Sequence, residues 1–100
     1  MITSIKKEND RIQATVSGRF TTDEAAGFLK KIEPLTGEDF TELTIDLSGL
    51  EFISSAGLRC MVMLLKTCEA KNAELRLKNM TSQIKDIFNL TALTDKFNIE

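Results

Sequence analysis

Apolar and polar residues alternate in three short stretches of the chain. Such alternation buries one side of a β-strand and leaves the other side to water. The apolar positions of these predicted strands are Ile12, Ala14 and Val16, then Leu43, Ile45 and Leu47, then Leu75 and Leu77. A turn at residues 8–10 predicts that residues 2–7 pair with the first of them as a hairpin. Phe52 and Ile53 mark a short apolar return to the core, and Phe97 and Ile99 fit a brief last strand.

Three other stretches repeat apolar residues every three or four positions, as amphipathic helices do. The first begins at Thr21, whose spacing from Glu24 fits a capping box. We predict that it ends at Pro34, because proline disfavours helical geometry in the residue before it. The second helix is predicted over residues 56–70 and the third from Thr81. Their apolar stripes are Ala25, Phe28, Leu29 and Ile32, then Leu58, Met61, Val62, Leu65 and Cys68, then Ile84, Ile87 and Phe88.

The resulting element order is β-β-α-β-α-β-α with a short final strand. The strand–helix–strand unit over residues 42–78 predicts two parallel neighbouring strands joined by a right-handed connection. The leading hairpin is antiparallel, so the sheet is mixed. We therefore predict an α/β fold in one domain over residues 1–100, with a four- to five-stranded sheet and helices mainly on one face.

Charge and hydropathy narrow the classes of function. The 100 residues carry a net charge of −2 with acids and bases intermingled, and no basic block suits a nucleic acid. The longest apolar run, residues 60–65, is too short to span a bilayer, and the first residues do not form an export signal. We expect a cytoplasmic protein that is not inserted in a membrane, and nothing requires more than a monomer.

The residue types in the sequence argue against an enzymatic function. Histidine is absent, which removes the usual general base and most zinc sites, and no other metal motif or cofactor motif is present. A serine nucleophile at position 55 would need glycine two residues earlier, where Ile53 stands. Cys60 and Cys68 lie roughly 12 Å apart along one predicted helix, which is too far for a disulfide. Asp46, at a strand end, is expected to accept hydrogen bonds from loop N–H groups.

Two adjacent hydroxyls, Ser54 and Ser55, stand where the second helix begins. Serine is a preferred N-cap, and local physics alone favours the simple interpretation that one of them caps this helix. The same position also suits a phosphate, because free N–H groups and the helix dipole favour negative charge. A phosphoserine adds roughly −1.5 to −2 charges, enough to abolish a contact made by a neutral surface.

The far side of the second helix admits two interpretations as well. It carries Cys60, Met63 and Leu64, which we expect to pack against the first or third helix. A docking surface is the alternative.

The segment around these serines resembles the signature of the STAS family, named for sulfate transporters and anti-sigma factor antagonists. The matching residues are Asp46, Leu47, Ser48, Phe52, Ile53, Ser55, Gly57 and Leu58. Residues 18–21 are similar to the family's glycine turn, and residues 87–93 with Phe97 and Ile99 resemble its C-terminal pattern. The resemblance thus extends over nearly the whole chain and implies the STAS fold.

Stand-alone STAS domains of this length are typically anti-sigma factor antagonists. The resemblance implies that the unphosphorylated protein binds an anti-sigma factor that is also a serine kinase, which releases the sigma factor. Phosphorylation of Ser55 would end this interaction, and a separate phosphatase would restore it. Many members carry Asp before this serine, where this chain has Ser54, so Ser54 is the second choice of acceptor. The predicted partner contacts are Arg19, Thr21, Ser54, Ser55, Gly57 and Arg59.

A second function fits the same resemblance. Some STAS domains are constitutive interaction subunits of membrane transporter ATPases or of large signalling assemblies. Such a subunit would bind its partner with Ser55 unmodified at all times, whereas a switch would accept phosphate there.

Overall fold

The computed structural model of the chain describes residues 2–91 and 97–99, so the resemblance noted over residues 92–93 lies outside the described part. The strands are β1 (Ile2–Glu8), β2 (Arg11–Phe20), β3 (Glu42–Asp46), β4 (Leu50–Ile53), β5 (Glu74–Lys78) and β6 (Asn98–Ile99). The helices are α1 (Thr22–Thr36), α2 (Ser55–Ala70) and α3 (Ser82–Leu90). Every predicted element is present, with ends displaced by a few residues.

The strands form one mixed sheet, which confirms the predicted α/β fold. Five strands follow the order β1-β2-β3-β5-β6, and β4 joins them by pairing with β2. β1 is antiparallel to β2, whereas the β2–β3, β2–β4, β3–β5 and β5–β6 pairs are parallel. The parallel β3–β5 pair is the one predicted from the crossover unit.

Within the part of the chain that the structure describes, one face of the sheet is buried and the other is open to water. Ile12, Leu43 and Leu75 are neighbours in register on this face, and each is at most 4% exposed. The residues next along each strand, among them Gln13 and Thr44, point to the opposite face, which is open to water. The helical side chains that cover the buried face are Ala25, Phe28, Ile32, Leu58, Cys60, Met61, Leu64, Cys68, Ile84 and Phe88. The hydrophobic effect thus holds together two layers, one of strands and one of helices.

The predicted end of α1 at Pro34 is wrong, since the helix continues to Thr36 with Pro34 inside its last turn. Pro34 is exposed, so the helical carbonyl that loses its partner to the proline ring can be hydrated. The turn beyond it is held by Glu33, whose carbonyl accepts from the Gly37 N–H at 2.9 Å and the Thr36 hydroxyl at 3.3 Å. Burial of Thr36 anchors this turn to the core.

The two cysteines behave as buried apolar side chains, as predicted. Both Cys60 and Cys68 are free thiols. Burial raises the pKa of Cys60 to about 12, and burial also raises that of Cys68 to about 11. Neither thiol is therefore ionised near neutral pH.

β2 extends to Phe20 and changes its pairing partner near that end. It pairs with β3 up to Thr15 and with β4 from Gly18, where the register shifts. Gly18 has a φ of 84°, and its N–H donates to the Gly49 carbonyl at 2.9 Å. Only glycine adopts such a φ without strain. This bend places the end of β4, and the serines that follow it, beside the end of β2.

Candidate functional site

Ser54 is fixed by the protein's own backbone at the junction of β4 and α2. Its N–H and its hydroxyl both donate to the Phe20 carbonyl, at 3.0 Å and 3.1 Å. The same hydroxyl accepts from the Gly57 N–H at 3.1 Å, which makes Ser54 the N-cap of α2. Ser54 therefore uses its hydroxyl as donor and as acceptor inside the molecule.

Ser55 has the opposite environment. It is the first residue of α2 and its side chain is exposed. Its hydroxyl has no hydrogen-bond partner within residues 2–91 and 97–99, which are those the structure describes. Of the two adjacent serines, only this one presents its hydroxyl to another molecule.

Gly57 lets α2 approach the end of β2. A Cβ atom at this position would lie 2.6 Å from Cδ2 of Phe20, 2.7 Å from Cγ1 of Ile53 and 2.7 Å from the Phe20 carbonyl oxygen. No side chain fits in that space, because such contacts are far inside van der Waals distance. Gly57 is buried. Although it was predicted as a partner contact, it shapes the site from below.

Arg19 brings a positive charge to the site. It is paired in register with Phe52 across β2 and β4, and its guanidinium carbon lies 4.5 Å from the centroid of the Phe52 ring. This is a cation–π geometry. Arg19 is exposed and directly precedes Phe20, the residue whose carbonyl holds Ser54.

Thr21 is the N-cap of α1, as predicted, but its hydroxyl does not make the capping hydrogen bond that a capping box would include. Its side chain accepts no hydrogen bond from the helix, whereas its carbonyl accepts from the Ala25 N–H at 2.8 Å. The Thr21–Glu24 spacing allows the capping box without fixing the hydroxyl rotamer. Thr21 follows Phe20 directly and so borders the site.

Arg59 lies one turn after Ser55 on α2. Residues four apart share one side of a helix, so Ser55 and Arg59 are neighbours on its surface. Arg59 is exposed. The junction of β2, β4 and α2 thus carries two exposed arginines, Arg59 one turn from Ser55 and Arg19 over the ring of Phe52.

Asp46 has the structural role predicted for it. Its Oδ1 accepts from the Ser48 N–H at 2.9 Å, closing the turn after β3. This hydrogen bond is the main cause of the lowered pKa of Asp46, with smaller contributions from Asn79 and Lys78. In the part of the chain that the structure describes, no cluster of His, Cys, Asp and Glu is arranged to hold a metal ion. None of the described helices is long and apolar enough to cross a membrane.

The sequence did not reveal the part played by Phe20. Its ring packs edge-on against Phe28 at 5.7 Å, and its carbonyl binds Ser54. A backbone carbonyl has no residue-type signature, so spacing could not have identified this contact. The alternation of Ile12, Ala14 and Val16 predicted the strand, but Gly18 interrupts that pattern before it reaches Phe20.

Comparisons with known proteins agree with this architecture. The family model described as "Mlab, STAS domain" matches residues 3–99. The anti-sigma-B factor antagonist of Bacillus subtilis (strain 168) is 26% identical over 95 residues, which are 95% of this chain and 86% of that protein. An anti-sigma factor antagonist from Mycobacterium paratuberculosis has a similar structure, with a TM-score of 0.84 and 20% identity over 98% of this chain and 83% of that one.

The anti-sigma factor antagonist SpoIIAA is similar in both of its solved forms. The unphosphorylated form has a TM-score of 0.86 and 14% identity, covering 99% of this chain and 88% of that one. The phosphorylated form, from Bacillus, has a TM-score of 0.78 and 14% identity, covering 99% and 91%. At such identities these structures establish a common fold, and the family match extends over nearly all of the sequence. The chain belongs to the STAS domain family.

Proposed function

We propose that this protein is an anti-sigma factor antagonist that works by partner switching. In its unphosphorylated form it binds an anti-sigma factor that is also a serine kinase, and the sigma factor is released. Phosphorylation of Ser55 ends the interaction, and a phosphatase restores it. The observation that carries this proposal is the contrast between Ser54, whose hydroxyl is bonded twice, and Ser55, whose hydroxyl is exposed.

The contrast supports Ser55 over Ser54 as the phosphate acceptor. In the transfer, the Ser55 oxygen attacks the γ-phosphorus of kinase-bound ATP, the bond to the ADP oxygen breaks, and the hydroxyl proton passes to a kinase base. Ser55 needs no rearrangement of its own chain to enter a kinase site. Ser54 would first have to give up its hydrogen bonds to Phe20 and Gly57.

The position of Ser55 also explains how phosphate could act as a switch. A phosphoserine would place roughly two negative charges at the first residue of α2, where the helix dipole favours them. Arg59, one helical turn away on the same side of α2, is exposed and positively charged. The folded protein would therefore tolerate the modification, whereas a partner seated over a neutral hydroxyl would meet an uncompensated charge.

The deciding experiment is affinity purification from the native cell with mass spectrometry of the copurifying proteins and of the peptide containing Ser54 and Ser55. We expect a kinase-like anti-sigma factor and phosphate on Ser55. A transporter ATPase recovered with an unphosphorylated peptide would overturn the switch and favour the constitutive subunit. Phosphate on Ser54 alone would overturn the choice of acceptor.

Substitutions test the same proposal with purified components. Ser55→Asp is expected to abolish kinase binding while the melting temperature stays close to that of the natural protein. Ser55→Ala should bind the kinase and accept no phosphate, which makes it the matched control. Ser55→Asp binding as well as Ser55→Ala would contradict a charge-operated switch.

A further inference from the structure

Charged residues on the open face of the sheet neutralise one another. Arg76 pairs with Glu42 at 3.4 Å and with Glu74 at 3.2 Å, and Arg11 lies 3.7 Å from Glu42. Acids and bases alternate across neighbouring strands, so this face presents little net charge to a partner. It offers no basis for choosing one class of ligand over another.

The exposed side of α2 differs in charge. We define the α2 face as Ser55, Arg59, Met63 and Lys66, which recur at intervals of four, four and three residues and so share one side of the helix. All four are exposed. Residues 55–66 contain no Asp or Glu, although acids outnumber bases in the whole chain by 15 to 13. Among the ion pairs of the described residues, none involves Arg59 or Lys66.

An apolar side chain lies in the middle of this positive strip. Met63 is 48% exposed, whereas its neighbours Cys60 and Leu64 are buried in the core. The expectation that Cys60 and Leu64 pack inside is thus confirmed, and the same expectation for Met63 is wrong, because that position points away from the sheet. Methionine is flexible and polarizable and is common at recognition surfaces.

Building on the proposed function, we propose that the α2 face docks onto an acidic surface of the kinase that has an apolar recess for Met63. Arg59 and Lys66 pair with carboxylates on either side of that recess. Charge complementarity supports this partner chemistry, because residues 55–66 carry two cations and no anion, and the first acid on this side of α2, Glu69, follows only after Lys66. A basic or neutral partner surface would leave both cations without compensation.

The spacing of Ser55 and Arg59 on the α2 face also explains how one phosphate could prevent binding of the partner. Phosphate on Ser55 lies one turn from Arg59, the helical spacing at which opposite charges pair. The guanidinium is then held within the chain by the phosphate and is no longer available to a carboxylate of the partner. Modification thus both adds a repulsive charge and withdraws an attractive one.

The first test measures binding to the purified kinase recovered in the affinity experiment, by titration calorimetry at low and high salt. We expect Arg59→Glu to weaken binding at least tenfold and Met63→Ala several-fold, with the natural protein binding more weakly at high salt. The matched control is Lys85→Glu on the exposed side of α3, which should change affinity less than twofold. Unchanged or tighter binding by Arg59→Glu would overturn the docking surface.

The second test needs no partner. Phosphoserine is encoded at position 55, and the second pKa of its phosphate is followed by ³¹P NMR. Arg59→Gln should raise that pKa by about 0.3 unit or more, because pairing with a cation favours the dianion. Lys85→Gln should leave it unchanged. An equal pKa in the Arg59→Gln and natural proteins would overturn the pairing with Arg59.

The two tests separate failure of the inference from failure of the proposed function. A purification that returns a transporter ATPase would refute the switch. The same titration against that ATPase would still decide whether the α2 face binds an acidic surface. A kinase partner bound without any contribution from Arg59 or Met63 would leave the switch intact and refute the face.

Discussion

The junction of β4 and α2 has two sides that differ in how their polar groups are used. On its underside, formed by Phe20, Ser54 and Gly57, the Ser54 hydroxyl makes two hydrogen bonds and no space is left at Gly57. On its outer side, Ser55 and Arg59 are exposed, and their side chains make no hydrogen bond or ion pair within the described residues. Adjacent residues thus differ in their surroundings: the Ser54 side chain holds the backbone in place, and the Ser55 side chain is open to solvent. Substitutions should therefore separate stability from binding at single-residue resolution.

The largest effect on stability is expected from filling the underside. Gly57→Ala would place a methyl group within 2.7 Å of Phe20 and Ile53, so α2 must shift. We expect the free energy of unfolding in urea to fall by about 2–3 kcal/mol. Gly27→Ala is the matched control, because Gly27 is an exposed residue of α1. A Cβ atom at that position would have no atom within 4 Å. Gly27→Ala should raise the free energy of unfolding by about 0.5–1 kcal/mol. Equal losses of stability in the two variants would show that close packing at Gly57 is not the cause.

The next effect compares the two serines directly. Ser54→Ala removes the N-cap and the hydroxyl bond to Phe20, so the free energy of unfolding should fall by about 1–2 kcal/mol. Ser55→Ala removes no intramolecular bond and should stay within about 0.5 kcal/mol of the natural protein. Thermal and urea unfolding of the two variants provide the measurement. If Ser55→Ala were the more damaging of the two, the assignment of cap and exposed hydroxyl would be reversed.

A smaller effect is expected from the pair that links the two sides. Arg19 covers the ring of Phe52 at 4.5 Å and remains exposed. A double-mutant cycle with Arg19→Ala and Phe52→Leu should give a coupling of about 0.5–1 kcal/mol in the free energy of unfolding. A coupling near zero would show that the contact between the Arg19 guanidinium and the Phe52 ring does not stabilise the protein.

The smallest effect comes from Asp46, which belongs to neither side. Its pKa is lowered in the folded state, chiefly by the Ser48 N–H, from an ordinary value of 3.8. The ionised Asp46 side chain therefore stabilises the folded protein at pH values above its ordinary pKa of 3.8. This contribution is lost as the pH falls through the lower pKa of the folded state. Asp46→Asn should be less stable than the natural protein at about pH 7, and the gap should narrow by about pH 3. A gap that stays constant in urea melts across this range would show that the charge of Asp46 has no role.

Periodicity predicted most of the fold and failed where local rules compete with tertiary contacts. Alternation located β2, β3 and β5 because each buries one face, and helical spacing located α2 from its apolar stripe. The predicted end of α1 at Pro34 was wrong because burial of Thr36 offsets the cost of the backbone hydrogen bond that the proline removes.

Local physics predicted the site only to the level of a pair of hydroxyls, and the choice of Ser55 over Ser54 came from the family resemblance. Ser54 and Ser55 are the same residue type in adjacent positions, so no local rule separates them. The Phe20 carbonyl separates them, and it reaches Ser54 only because β2 bends at Gly18 to pair with β4. That contact joins residues 34 positions apart and has no trace in the local sequence.

Burial of both native thiols makes the protein convenient for spectroscopy. Maleimide reagents are attacked by thiolates, and Cys60 and Cys68 are withdrawn from solvent and remain protonated near neutral pH. A single cysteine introduced at Gln13, exposed on the water-facing side of β2, would thus be labelled selectively without removal of the native pair. The dye would sit roughly 23 Å along the strand from Phe20, given about 3.3 Å per residue. Docking at the far end of β2 could then be followed by fluorescence anisotropy without a label in the contact.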